Sequence, residues 1–109
     1  MRFTALENEA QLKQIETATG HQAVLKHNTS CPISKGVLAS LQAGEEVEGL
    51  DTLYVLDLLA HRPLSNALAK QYGVEHQSPQ LLIIRNGKCV YDQFGYDISP
   101  QSIREALAE

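Results

Sequence analysis

Tryptophan is absent from this chain of 109 residues, and cysteine occurs only twice. The N-terminus lacks the basic and apolar leader of a secreted chain, so we expect a cytoplasmic protein whose cysteines are reactive rather than bridged. Apolar runs long enough to span a bilayer are also missing, which argues against a membrane protein. The formal net charge of −4 does not favour a nucleic-acid partner.

What is present is an ordinary globular composition, 43% hydrophobic and 20% charged. The length suits one modest hydrophobic core, so we expect a single domain over residues 1–109 and a monomer. The sequence contains no internal repeat and no low-complexity segment. Its organisation has to be read from hydrophobic periodicity.

That periodicity alternates between helix-like and strand-like spacing. Helices are predicted to begin near Asn8, Pro32, Pro63 and Ser99. Strands are predicted over residues 23–27, 53–58, 81–84 and 89–94, and Asn86-Gly87 predicts a tight hairpin between the last two. The order α-β-α-β-α-β-β-α resembles that of thioredoxin-like domains. It predicts an α/β fold with a central four-stranded mixed sheet flanked by helices.

Cys31 lies in the run Asn-Thr-Ser-Cys-Pro-Ile-Ser, between a predicted strand and a predicted helix. A helix N-terminus carries unpaired N–H groups and a partial positive charge, and both favour a thiolate. A lone cysteine is most often a buried apolar residue, but Pro32 and the helix start favour a nucleophile here. Ser34 stands where a resolving cysteine would stand, so an external thiol has to resolve a mixed disulfide on Cys31. We expect the Ser34 hydroxyl to donate a hydrogen bond to the thiolate.

Ser78-Pro79 stands immediately before the third predicted strand, which is expected to run antiparallel to the first two. The start of that strand therefore lies at the same sheet edge as Cys31. Proline suits a strand entry because it cannot donate to the ladder. A cis bond is a minority state for prolines in general, but the predicted fold favours it here. It would leave the Ser78 backbone free to pair with an extended thiol ligand.

The flanks of Cys31 are neutral to basic. Acidic residues are absent from residues 17–44 and 58–74, whereas Lys26, Lys35, Arg62 and Lys70 lie there. We interpret Arg62 as a contact for an anionic ligand, with chance placement as the competing explanation. Lys26 is interpreted as a strand residue that points to solvent.

The other chemistry-bearing side chains are interpreted as structural. Cys89 lies in a strand without a motif, so we expect a structural or partly exposed residue and not a resolving thiol. His27 and His61 are expected to be surface or hydrogen-bonding groups. The four histidines and two cysteines lack metal-ligand spacing, so no metal site is predicted.

The run Lys-His-Asn-Thr-Ser-Cys-Pro-Ile-Ser at residues 26–34 resembles the signature of the monothiol bacilliredoxin-like proteins of the bacillithiol system. Residues 62–66, 72–74, 78–81 and 86–88 resemble that family in order and spacing, so the resemblance covers nearly the whole chain. It implies a thioredoxin-fold enzyme that removes bacillithiol, a cysteinyl-glucosamine-malate thiol, from mixed disulfides on client proteins. Cys31 would be the attacking thiolate, and Thr29, Pro32 and Ser34 would complete its motif.

The resemblance also implies a cis-proline at Pro79 beside the sulfur, bacillithiol as co-substrate and no bound cofactor. Ser78, Pro79 and Arg62 are predicted to contact the ligand from their positions. Two other functions remain open. One is a protein-binding module in which Cys31 is silent, and the Cys-Pro-Ile-Ser motif argues against it. The other is a scaffold that shares an iron–sulfur cluster through Cys31, and the bulk of Pro32 and Ile33 argues against it.

Overall fold

The computed structural model describes residues 1–44 and 46–108. Within these residues, five strands and four helices follow one another in the order β1 (Arg2–Ala5), α1 (Glu9–Thr17), β2 (His21–His27), α2 (Pro32–Ala43), β3 (Leu50–Asp57), α3 (Arg62–Tyr72), β4 (Gln80–Arg85), β5 (Lys88–Phe94) and α4 (Pro100–Leu107). The strands form one sheet in the order β1-β3-β2-β4-β5. β1, β3 and β2 run parallel, β4 is antiparallel to β2, and β5 is antiparallel to β4.

The prediction of a four-stranded sheet was wrong, because the described chain begins with an additional strand. β1 has only four residues, none of them buried, and it pairs in parallel with β3 from Arg2 opposite Thr52 to Ala5 opposite Val55. Four residues are too few to show the period-2 alternation that marks a strand in sequence. Its conformation is decided by the free edge of β3, which supplies the hydrogen-bonding partner.

Helices cover both faces of the sheet, and each face has its own apolar cluster. On one face α2 and α4 pack against the sheet through Val37, Leu41 and Ile103. On the other face α1 and α3 do so through residues that include Ile15 and Leu68. The spacing of Ile33 with Val37 and Leu41 predicts that all three share the inward face of α2, but Ile33 is 51% exposed. It lies in the first turn of the helix, next to the buried Ser34.

The helix ends follow local side-chain chemistry. Asn8 caps α1 in a capping box with Gln11, and Ser99 caps α4 in the same way with Ser102. Gly73 ends α3 in the left-handed conformation, with φ of 64°. The Asn86-Gly87 pair makes the predicted hairpin turn, with positive φ at both residues. Within the described residues, each helix is too short or too polar to cross a bilayer.

Candidate functional site

Cys31 is the N-cap residue of α2 and lies just beyond the carboxyl end of β2. Its carbonyl oxygen accepts the first intrahelical hydrogen bond, from the Lys35 N–H at 3.0 Å. Pro32 occupies the first helical position and has no N–H, so the N–H groups without an intrahelical carbonyl belong to Ile33 and Ser34. The thiol is partly exposed and makes no cap hydrogen bond. A thiolate at this position can accept those N–H groups.

A tight turn presents Cys31 at the end of β2. The Asn28 side-chain oxygen accepts from the Ser30 N–H at 2.9 Å, and the Asn28 carbonyl accepts from the Cys31 N–H at 3.1 Å. Thr29 lies in this turn with an exposed side chain. No hydrogen bond joins its hydroxyl to Cys31 in the part of the chain that the structure describes, so Thr29 contributes here through the turn alone.

Ser34 makes different hydrogen bonds from the one predicted. Its side chain is fully buried, and its oxygen accepts from the Asn28 N–H at 2.9 Å. The same oxygen lies 2.7 Å from Nδ1 of His27. Instead of donating to Cys31, the Ser34 hydroxyl ties the first turn of α2 to the last residue of β2. The expectation of a hydrogen-bonding His27 is confirmed, although the residue is buried and not at the surface.

The environment of His27 favours its neutral form. Burial lowers the pKa of His27, the carboxylate of Asp57 opposes this effect, and the positive charge of Lys35 adds to it. Because the Ser34 oxygen already accepts from Asn28, its own proton is free to be donated to Nδ1 of a neutral imidazole. The pair thus joins a buried helix turn to a buried strand without a net charge.

The Ser78–Pro79 peptide bond is cis, as the predicted fold favoured. Pro79 is buried immediately before Gln80, which lies opposite Lys26 in the β2–β4 register. The Pro79 carbonyl accepts from the Gly95 N–H at 3.1 Å, so this segment is also joined to the end of β5. Cys31 and Pro79 therefore lie beyond adjacent strand ends at the same sheet edge.

Residues 4–103 match the family described as the monothiol bacilliredoxin BrxC. This range contains both Cys31 and Pro79. The chain belongs to the monothiol bacilliredoxin BrxC family. The resemblance seen in the sequence is therefore confirmed at the level of the family.

Solved structures confirm the fold of this bacilliredoxin. The chain is similar to a protein proposed to be an oxidoreductase with a thioredoxin fold, with 30% identity, a TM-score of 0.84, and coverage of 95% of this chain and 92% of that chain. A thioredoxin from Malassezia sympodialis gives 14% identity and a TM-score of 0.76, covering 99% of this chain and 89% of that one. A thioredoxin from Trypanosoma brucei brucei gives 16% identity and a TM-score of 0.74, covering 97% of this chain and 88% of that one. The thioredoxin-like α/β fold is confirmed, and fold and family together support a redox function.

Cys89 lies far from the Cys31 edge of this bacilliredoxin. It is opposite Ile84 in β4, four residues beyond Gln80 and hence about 13 Å along the strand. Its thiol donates to the Tyr91 carbonyl at 3.3 Å, and it packs with the apolar cluster under α1 and α3. Burial raises the pKa of Cys89, which disfavours its thiolate. Cys89 is therefore a structural and partly exposed residue, as predicted.

Lys26 was interpreted wrongly as a residue that points to solvent. It is 0% exposed, and its Nζ lies 3.3 Å from Nδ1 of His76, with the Ser65 hydroxyl 3.5 Å from the same nitrogen. Burial lowers the pKa of Lys26. Lys26 and His76 are 50 residues apart in sequence, so no local signal could have joined them. His76, absent from the predicted site, is the main residue that sequence reasoning missed.

Arg62 is the exposed first residue of α3, and its positive charge is close enough to His76 to lower the pKa of that imidazole. The neighbouring His61 is half-buried and lines a separate cavity of about 320 Å³, together with residues that include Glu7 and Glu9. Among the described residues, no three histidine, cysteine or acidic side chains are grouped so that they could hold a metal ion.

Proposed function

We propose that this bacilliredoxin acts in the cytoplasm and removes bacillithiol from mixed disulfides on proteins, with Cys31 as its nucleophile. The observation that carries the proposal is the N-cap position of Cys31 next to a buried, fully engaged Ser34. The N-cap position supports a thiolate. The serine leaves the motif without a second thiol, which suits a one-cysteine exchange.

The chemistry proceeds in two exchanges. The Cys31 thiolate attacks the bacillithiol sulfur of the client's mixed disulfide, a new disulfide forms on Cys31, and the client cysteine leaves as a thiolate. The thiolate of a free bacillithiol then attacks the bacillithiol sulfur held on Cys31. Bacillithiol disulfide forms and the Cys31 thiolate is regenerated. Each step exchanges one disulfide for another, so no further oxidant or reductant is required.

Exposed apolar side chains at the same sheet edge as Cys31 support a protein as the client. Ile33 lies in the first turn of α2, and Phe94 lies opposite Gln80 at the end of β5. Tyr96 follows Gly95, whose N–H bonds the Pro79 carbonyl. These three side chains are between 51% and 77% exposed. Large apolar groups clustered at one edge are typical of a protein-contact surface.

The proposal is tested by oxidising the protein with bacillithiol disulfide and, in parallel, with glutathione disulfide, followed by intact-mass spectrometry. We expect a single bacillithiol adduct that forms faster than the glutathione adduct. Cys31→Ser should abolish the adduct, and Cys89→Ser, the matched control, should retain it. Failure of Cys31 to form an adduct with either disulfide at neutral pH would contradict the proposal and favour a binding module.

A bacillithiolated client protein provides the second arm. Wild-type protein should remove the adduct from the client and carry it on Cys31, and free bacillithiol should then release it. An adduct that stays on the client while bacillithiol disulfide labels Cys31 would show that the thiol reacts but that proteins are not its substrates.

A further inference from the structure

The buried ammonium of Lys26 lacks a carboxylate partner. Its Nζ contacts the imidazole of His76, and no ion pair joins it to an acidic side chain within residues 1–44 and 46–108. Fully buried lysines are rare unless they are paired, because desolvating a lone charge is costly. A cation at this position can act electrostatically on an anion bound above it.

The position of His76 above Lys26 is built into the fold. Gln80, fully buried and opposite Lys26 in the sheet, donates from Nε2 to the Glu75 carbonyl at 3.0 Å. Its Oε1 accepts from the Gln77 N–H at 3.2 Å. These two hydrogen bonds hold the backbone on either side of His76 against the sheet. The imidazole is therefore fixed over the ammonium.

This arrangement sets the protonation of the imidazole. An ammonium can only donate hydrogen bonds, so Nδ1 of His76 has to accept from Lys26 and the ring proton lies on Nε2. Burial and the positive charges of Lys26 and Arg62 lower the pKa of His76, which keeps the ring neutral. Because His76 is exposed while Nδ1 faces Lys26, Nε2–H is the group available to a ligand.

Hydrogen-bond donors and positive charge therefore surround His76, three residues before the cis-proline. His76 offers Nε2–H, Arg62 offers its guanidinium at the start of α3, and Lys26 supplies a positive charge beneath them. The buried hydroxyl oxygen of Ser78, two residues after His76, has no hydrogen-bond partner within the described parts of the chain. An anion with several oxygens could accept hydrogen bonds from the exposed His76 and Arg62, with the charge of Lys26 beneath them.

We propose that Lys26, His76 and Arg62 form a subsite for the carboxylates of the malate arm of bacillithiol. The inference rests on the proposed function. It adds to that function the residues that select bacillithiol over thiols without a malate group. His76 precedes Pro79 by three residues, so it lies within about 10 Å of the cis-proline. A thiol whose sulfur reaches Cys31 could extend its sugar and malate along this segment.

The first experiment uses a probe without a thiol. Glucosaminyl malate is titrated into isotopically labelled protein while the ring signals of His76 and the side-chain signals of Arg62 are followed by NMR, with methyl glucosaminide as the uncharged control. We expect saturable shifts with glucosaminyl malate alone. Arg62→Gln should weaken binding about tenfold, the typical effect of losing a charged hydrogen bond. Lys70→Gln, in the last turn of the same helix, should bind as the wild type does.

The second experiment compares the rate at which Cys31 reacts with bacillithiol disulfide and with the disulfide of cysteinyl-glucosamine, which lacks malate. Wild-type protein should prefer bacillithiol disulfide, and His76→Phe should lose the preference while still reacting with both. Equal rates in wild type, or unchanged titrations in the Arg62 variant, would overturn the subsite. Binding of glucosaminyl malate without any adduct on Cys31 would instead overturn the proposed transfer.

Discussion

The Ser34 hydroxyl lies 2.7 Å from Nδ1 of His27, in the buried contact between the start of α2 and the end of β2. The same hydroxyl accepts from the backbone of Asn28. The serine that replaces a resolving cysteine therefore has a structural task, because it fixes the turn that carries Cys31. The side chain that leaves the motif without a second thiol is also the one that holds the turn before Cys31 in place.

Ser34→Ala should destabilise the fold. The substitution leaves His27 Nδ1 and the Asn28 N–H without their buried partner, which costs about 1–3 kcal/mol in the free energy of unfolding. Urea denaturation measures the loss, and Ser40→Ala on the exposed face of the same helix is the matched control. Equal stability of the two variants would contradict a structural role for the hydroxyl.

Ser34→Cys should change how the mixed disulfide is resolved. A thiol three residues after Cys31 can attack the Cys31 sulfur, so bacillithiol should leave without an added external thiol. Intact-mass spectrometry of the bacillithiol-treated variant should show the adduct replaced by an internally oxidised chain. A persistent adduct, as in the wild type, would mean that His27 and Asn28 hold the side chain at position 34 away from the sulfur.

Mild acidification should weaken the fold through His27. Burial lowers the pKa of His27 below its ordinary value of 6.5, so the unfolded chain binds the proton more tightly than the native chain. The free energy of unfolding should therefore fall as the pH drops below about 6.5 towards the lowered pKa. Urea midpoints across this range test the prediction, and His27→Gln should flatten the dependence.

His21→Gln, at the opposite end of β2, is the control for the pH series and should leave the slope in place. His76, whose pKa is also lowered, contributes in the same direction, so the His27 variant should keep a smaller residual slope. If His27→Gln left the pH dependence of the free energy of unfolding unchanged, the acid sensitivity would come from groups other than His27.

Lys26→Met should stabilise the protein while it weakens malate binding. The substitution keeps the unbranched shape and all but the last atom of the side chain but removes a buried charge without an acidic partner, so the free energy of unfolding should rise by about 1 kcal/mol or more. Thermal or urea denaturation measures the gain, and Lys70→Met, an exposed residue of α3, should change it little. Destabilisation by Lys26→Met would indicate that the contact with His76 is purely structural.

The helices and turns of this bacilliredoxin were predictable because their signals are local. A capping asparagine or serine is read within three residues of the helix it starts, and Asn86-Gly87 carries the positive φ values of its turn. Cys31 followed by Pro32 predicted a cysteine at a helix start in the same way. The family signature lies in these segments.

Other features of the site depend on residues that are distant in sequence. Ser34 and His27 meet because α2 packs against the end of β2, and the expected bond from Ser34 to the sulfur was wrong for that reason. In the first turn of α2 the buried side chain is Ser34, and Ile33 is exposed although its periodicity predicted an inward side chain.

By itself, therefore, the sequence determined the helix caps, the hairpin turn and the place of Cys31 at a helix start, because each depends on interactions over a few residues. Only the tertiary structure decided that β1 joins the sheet edge and that Lys26 is buried beneath His76. The burial of a residue and the charges around it depend on which elements pack together. The same local sequence pattern therefore fits a strand residue that faces solvent and one that faces a covering loop.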